Sequence, residues 1–157
     1  MILITNLNNS SCKIYTKNKK LEKYNMLLTK KSEYALLSLI SIAKSEEAKN
    51  VDVLSRELDI SKSFLAKIMQ NLAKHELVIS HRGVNGGFAL KKSWEEITIF
   101  EIVVAAEERT PTVFECAPSL GSCPNQKAMS CTIWPLLNNL QFKVNDFLQK
   151  LTLKDIA

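Results

Sequence analysis

At 157 residues and 46% hydrophobic, the chain can bury one ordinary core but is too short for two full domains around an enzyme cleft. No apolar run nears the roughly 20 residues of a membrane span. The apolar stretch Met1 to Ile4 is followed by Asn and Ser, with its lysines after it rather than before, so no signal peptide is expected either. The reading is a cytoplasmic chain whose four cysteines are reduced thiols or metal ligands rather than disulfides. The net charge of +5 is uneven: residues 1–25 carry a net +4, residues 26–92 hold 11 bases against 7 acids, and residues 93–157 hold 5 against 8. A polyanionic partner should therefore meet the first two thirds of the chain, and the last third should do something else.

Residues 1–25 are rich in Lys and Asn and show no sustained period, so they are expected to be disordered, with Cys12 incidental. They are either a basic arm or an extension ahead of a true start at Met26. From Thr29, a good N-cap residue, Leu36, Leu39, Ile40 and Ala43 recur at helical spacing, which predicts a core helix to about Ser45. A short helix over residues 51–58 follows, then a tight link at Asp59 and Ile60. Ser61 caps the next helix, in which Leu65, Ile68, Met69 and Leu72 form the buried stripe and Lys62, Ser63, Lys67 and Lys74 lie on other faces. Two short helices so linked, the second basic on its exposed side, describe a helix-turn-helix. Residues 78–90 (VISHRGVNGGFAL) then place two β-prone runs around Asn85-Gly86, a dipeptide that suits a type I′ hairpin. A hairpin directly after a recognition helix is a wing. Arg82, on its first strand beside the turn, can reach a minor groove or a phosphate, although most hairpin arginines are simply solvated.

Thr98 and Glu101 form a capping box for a helix from Ile99 to about Glu107. After a loop, Ile133, Leu137, Leu140, Val144, Phe147 and Leu151 make a heptad seam, with Pro135 tolerated in its first turn. The alternatives are a dimerisation helix and an amphipathic helix packed on its own core, and the dimer is preferred because helix-turn-helix modules commonly bind two half-sites. The expected fold is mainly α: a winged helix-turn-helix over residues 26–97 with a two-stranded wing, and a cysteine loop with a long C-terminal dimerisation helix over residues 98–157.

The loop carries Cys116, Cys123 and Cys131, with six and seven residues between successive cysteines. Thiolates are soft ligands that select zinc, copper(I) or iron-sulfur clusters. Structural zinc sites usually show close C-x2-4-C pairs, and none occurs here. His75 and His81 belong to the DNA-binding half, so the spacing points to metal binding without choosing the metal. No other cluster of Asp, Glu, His or Ser reads as a nucleophile and base, so an enzyme is not expected.

From Met26 onward the chain resembles the Rrf family of bacterial winged-helix regulators, on MLLTKKSEYAL, SKSFLAKI, RGVNGGF, ITIFEIVVAAE and the three-cysteine loop together. The resemblance implies a homodimer bound to a double-stranded DNA operator. Each subunit would hold one iron-sulfur cluster, [2Fe-2S] or [4Fe-4S], on Cys116, Cys123 and Cys131. It places DNA contacts at Ser61, Ser63, Phe64 and Lys67 in the recognition helix and at Arg82 and Gly87 in the wing. It also makes Glu33, in KKSEYAL, the candidate fourth ligand, reaching the cluster of the partner subunit, although a helix-end glutamate is favoured by the macrodipole alone. Two positions depart from the pattern: Trp134 stands where cluster-binding members carry a histidine, and Ala66 where they carry an acid. A metal-free thiol-disulfide switch and a module controlled by a partner enzyme are the competing functions.

Overall fold

The computed structural model describes residues 27–83, 86–123 and 125–157. The expectations for residues 1–25 and Met26, and for the conformation of Asn85, lie outside them.

Thr29 caps α1 (Lys30–Ala43) by accepting from the Lys31 amide at 3.1 Å. The buried face of α1 is Ser32, Ala35, Ser38, Leu39 and Ile42. The expected stripe of Leu36, Leu39, Ile40 and Ala43 is therefore displaced: only Leu39 of the four is fully buried, and the others pack at its edge. The reason is tertiary, because α1 lies against α4, and small side chains let two helices approach. The buried hydroxyls are satisfied, Ser38 donating to the Tyr34 carbonyl at 2.7 Å and Ser32 to Glu107 Oε1 at 2.8 Å.

Asn50 caps α2 (Val51–Leu58), whose Leu54 is buried, and Asp59 ends it in the left-handed conformation at φ 52°. Asp tolerates that region better than most residues. The turn is then closed by Ser55, whose carbonyl receives the Ile60 amide at 3.1 Å and whose hydroxyl donates to the Ile60 carbonyl at 2.6 Å. In α3 (Lys62–Lys74), Leu65, Ile68, Met69 and Leu72 are all fully buried, as their spacing predicts. Each contributes roughly 1.5–3 kcal/mol over an exposed position.

Strands β1 (Val78–His81) and β2 (Gly87–Leu90) pair antiparallel from Val78↔Leu90 to His81↔Gly87. Five residues separate the last pair, so the hairpin is not the two-residue turn that Asn85-Gly86 suggested, and Arg82 lies just past the strand rather than on it. A third backbone segment sets this register: Lys49 bridges Phe88, its N–H donating at 3.0 Å and its carbonyl accepting at 2.8 Å. Among the described residues of the loop, Gly83 is left-handed, at φ 115°.

The Thr98–Glu101 capping box opens α4 (Ile99–Glu107) as read. Helix α5 (Trp134–Lys150) runs to a C-terminal segment tied back to the start of α4, through Ile99 N–H to the Leu151 carbonyl at 2.9 Å and Leu153 N–H to the Ile97 carbonyl at 2.8 Å. One hydrophobic core runs through Leu39, Leu54, Ile68, Leu72, Ile102, Val103, Leu148 and Leu153, joining the winged helix to the C-terminal part. Among the described residues, no helix is long and apolar enough to cross a membrane.

Candidate nucleic-acid interface and cysteine loop

The outward face of α3 carries Ser63, Lys67, Gln70 and Lys74, spaced four, three and four residues apart and all exposed. Gln70 was absent from the sequence reading, although the same spacing identifies it. Ser61 takes the N-cap position of α3 as its sequence predicts, but its hydroxyl makes no capping bond and stays exposed at the helix mouth. Phe64 is half-buried, its ring edge-on to Tyr34 at 5.9 Å, so it braces α3 on α1.

Five lysines of this region are paired with acids. Lys62 pairs with Asp52 at 2.6 Å, Lys49 with Glu57 at 2.7 Å, Lys91 with Glu76 at 2.6 Å, Lys92 with Glu101 at 2.7 Å and Lys74 with Glu108 at 3.2 Å. Lys67 and Arg82 are exposed and have no acidic partner among the described residues. Gly87 is buried, and a Cβ there would stand 2.6 Å from the Lys49 carbonyl carbon and 2.8 Å from the Asn50 nitrogen. Close backbone approach is sufficient reason for that glycine.

The Lys49 ammonium also ties this wing-bridging segment to α1 and α2. It donates to both oxygens of Glu57 in α2 and, at 2.9 Å, to Ser41 in α1, whose hydroxyl donates to Glu57 at 2.7 Å. The Lys49 bonds first, then that of Ser41, hold Glu57 below its ordinary carboxylate range.

Cys116 lies in a turn, Cys123 directly after the short 3₁₀ helix Leu120–Ser122, and Cys131 directly after Ala128–Ser130; all three are half-buried. Three thiols on one strap are the donor set of a soft metal centre. Among the described residues, however, no three Cys, His, Asp or Glu side chains already converge on a metal-sized point. Glu33 sits in the first turn of α1, half-exposed and paired with Lys30 at 2.6 Å.

The loop is held by a feature that sequence reasoning missed. On α5, Trp134, Asn138 and Gln141 turn a polar stripe toward residues 111–117. The Trp134 indole donates to the Cys116 carbonyl, the Asn138 amide to the Ala117 carbonyl and the buried Gln141 amide to the Pro111 carbonyl, each at 2.9 Å. Gln141 Oε1 accepts from the Val113 amide at 2.8 Å. The signal was present as a second helical spacing of amide and indole side chains beside the apolar seam. The seam itself is split: Val144 and Leu151 are half-buried against the chain's own core, Leu137 is half-buried, and Ile133, Leu140 and Phe147 are exposed, with Leu136 beside them.

The profile of Rrf2, described as an iron-dependent transcriptional regulator, matches residues 28–157. The chain belongs to the Rrf2 family. Among its Rrf2 relatives, the regulator IscR of Pectobacterium carotovorum is 29% identical over 134 residues, covering 84% of this chain and 79% of the relative. IscR of Escherichia coli K12 is also 29% identical, over 84% and 80%. In structure, the global cysteine regulator CymR of Bacillus subtilis superposes with a TM-score of 0.64 at 23% identity, covering 83% of this chain and 95% of that one. The oxidised form of Staphylococcus aureus CymR gives 0.61 at 26%, over 82% and 94%. The mainly helical winged fold is thus that of Rrf2 regulators, and the protein is a DNA-binding transcription regulator rather than an enzyme.

Proposed function

We propose that the chain acts in the cytoplasm as a homodimeric repressor whose operator affinity is set by the state of the Cys116, Cys123 and Cys131 loop. The winged helix-turn-helix of residues 26–97 meets DNA through Ser61, Ser63, Lys67 and Arg82, with Phe64 and Gly87 shaping the surface. Residues 98–157 sense and dimerise. The observation that carries this reading is the charge pattern: Lys67 and Arg82 are left unneutralised while neighbouring lysines are paired within the fold. Phosphate oxygens or guanine edges would complete both.

The three thiols would hold an iron-sulfur cluster, [2Fe-2S] or [4Fe-4S], one per subunit, with Glu33 as a carboxylate ligand across the dimer. Such a cluster supplies an iron centre sensitive to nitric oxide, oxygen and iron supply. Likeness to IscR supports it, as does the donor set. A metal-free thiol-disulfide switch is the second reading, supported by the likeness to the oxidised form of CymR and by the lack of a preassembled ligand group among the described residues.

Two experiments test these points. Lys67→Ala and Arg82→Ala should each weaken operator binding by about 1–3 kcal/mol for a base contact, or reduce the salt slope by about one for a phosphate contact. Unchanged affinity and slope in both would remove them from the interface. Anaerobic reconstitution with iron and sulfide should give brown protein, colourless in Cys116→Ala, Cys123→Ala and Cys131→Ala and spectrally altered in Glu33→Ala. A colourless wild type would leave the thiol switch, and a wild-type spectrum in Glu33→Ala would reduce Glu33 to a helix-end charge.

A further inference from the structure

Two bonds from α5 fall on the backbone at Cys116 and Ala117. Cys116 and Ala117 are consecutive, and their carbonyls receive consecutive donors of the α5 stripe, the Trp134 indole and the Asn138 amide, each at 2.9 Å. Ala117 is fully buried, and its N–H closes a turn on the Phe114 carbonyl at 3.0 Å. The backbone around the Cys116 thiol is therefore held on both sides. Upstream, Gln141 clamps Pro111 and Val113 and is itself held by Asn145 Oδ1 at 2.8 Å, so the stripe continues for three turns of helix. Trp134 touches the loop a second time: its own backbone N–H donates to the Cys131 carbonyl at 3.4 Å. One residue at the head of α5 thus bonds the first and the third cysteine.

We propose that Trp134 is the positioning residue for Cys116, its indole N–H fixing that cysteine against the first turns of α5. The indole has a donor and no acceptor, so it cannot serve as a ligand, and its single N–H is committed to the Cys116 carbonyl. The turns it fixes are those whose other side exposes Ile133, Leu136 and Leu140. A change at Cys116, whether gain or loss of a ligand or oxidation, pulls on the helix that bears the proposed subunit seam. The inference deepens the proposed function by tying Cys116 to the head of α5, and it rests on the reading that this loop is the sensor.

The test uses the reduced full chain before any metal is added and measures the iodoacetamide alkylation rate of each loop cysteine by mass spectrometry. No cluster or DNA enters the readout, so its outcome is independent of the cluster reading. Trp134→Phe removes the donor and keeps an aromatic ring. It should speed alkylation of Cys116 about fivefold, what losing one net hydrogen bond does to a local opening equilibrium. Cys123 and Cys131 should stay near their wild-type rates, since the backbone bond to Cys131 survives. Asn138→Leu should act in the same direction on Cys116, and it decides the matter if Trp134→Phe does not fold. An unchanged Cys116 rate, or equal acceleration of all three cysteines, would overturn the proposal. The first outcome means the bond does not restrain the thiol, and the second means the substitution merely loosens the loop.

Discussion

Gly87 carries a packing constraint in addition to the DNA role that the resemblance gives it. Resemblance alone places it at the DNA, whereas its surroundings show backbone atoms of Lys49 and Asn50 where a Cβ would go. Those atoms cannot swing away as a side-chain end can, so Gly87→Ala must displace the Lys49–Phe88 bridge. A loss of about 1–3 kcal/mol in denaturant unfolding is expected, the usual scale of overpacking. A variant as stable as wild type would mean that the wing shifts without cost. Asp59 is the contrasting case, because a left-handed link between the two helices is legible from a short polar residue at that place in the sequence. Trp134 was legible only as a departure, a tryptophan where cluster-binding members carry a histidine; that it bonds Cys116 required the loop to be seen folded over α5.

At the scale of elements, α5 carries two patterns where one was read. The apolar heptad is real as a spacing, but its residues divide between the chain's own core and solvent. The polar stripe a quarter-turn away holds the cysteine loop. Leu140 belongs to the exposed part, so its replacement tests the seam without opening the core. Leu140→Asp should dissociate the proposed dimer in light scattering and lower operator affinity with it, because an unpaired carboxylate in a subunit seam is costly. A variant that remains dimeric would return α5 to packing within one chain. Helix α1 shows the complementary shift: its true inward face includes Ser32 and Ser38, which a search for apolar periodicity passes over. Their hydroxyls are bonded locally or to Glu107, and that removes the usual penalty for burying them.

In the whole molecule, α1, α2 and the wing meet at Lys49, Ser41 and Glu57, so the DNA-binding elements are fastened by a charge joint as well as by the core. Glu57 titrates below its ordinary value in the folded chain, chiefly through the Lys49 bonds. A depressed carboxylate contributes stability above its unfolded value, and that contribution is lost as pH falls through the folded one. Wild type should therefore melt above Glu57→Gln near neutral pH, and the difference should shrink as pH drops below the ordinary carboxylate value of 4.5. A difference that is constant with pH would show that the joint contributes no proton-linked stability. Because Glu57 is partly exposed, the effect is modest and screened by salt.

The sequence by itself determined the caps at Thr29 and Thr98, the span of α2, the buried stripe of α3, the presence of a wing and the family. All but the last are signals written within one or two turns of chain, where hydrogen-bond chemistry and side-chain period act between near neighbours. Tertiary structure alone decided which face of α1 is inside, the register of the wing, the division of the α5 seam and the anchoring of Cys116. Each depends on a segment returning from far along the chain: Lys49 against Phe88, Trp134 against Cys116, and Thr29 and Ser32 against a glutamate 78 and 75 residues away. Local pattern cannot specify such contacts, because every helix has several faces able to accept a neighbour. The packing of the whole core selects among them.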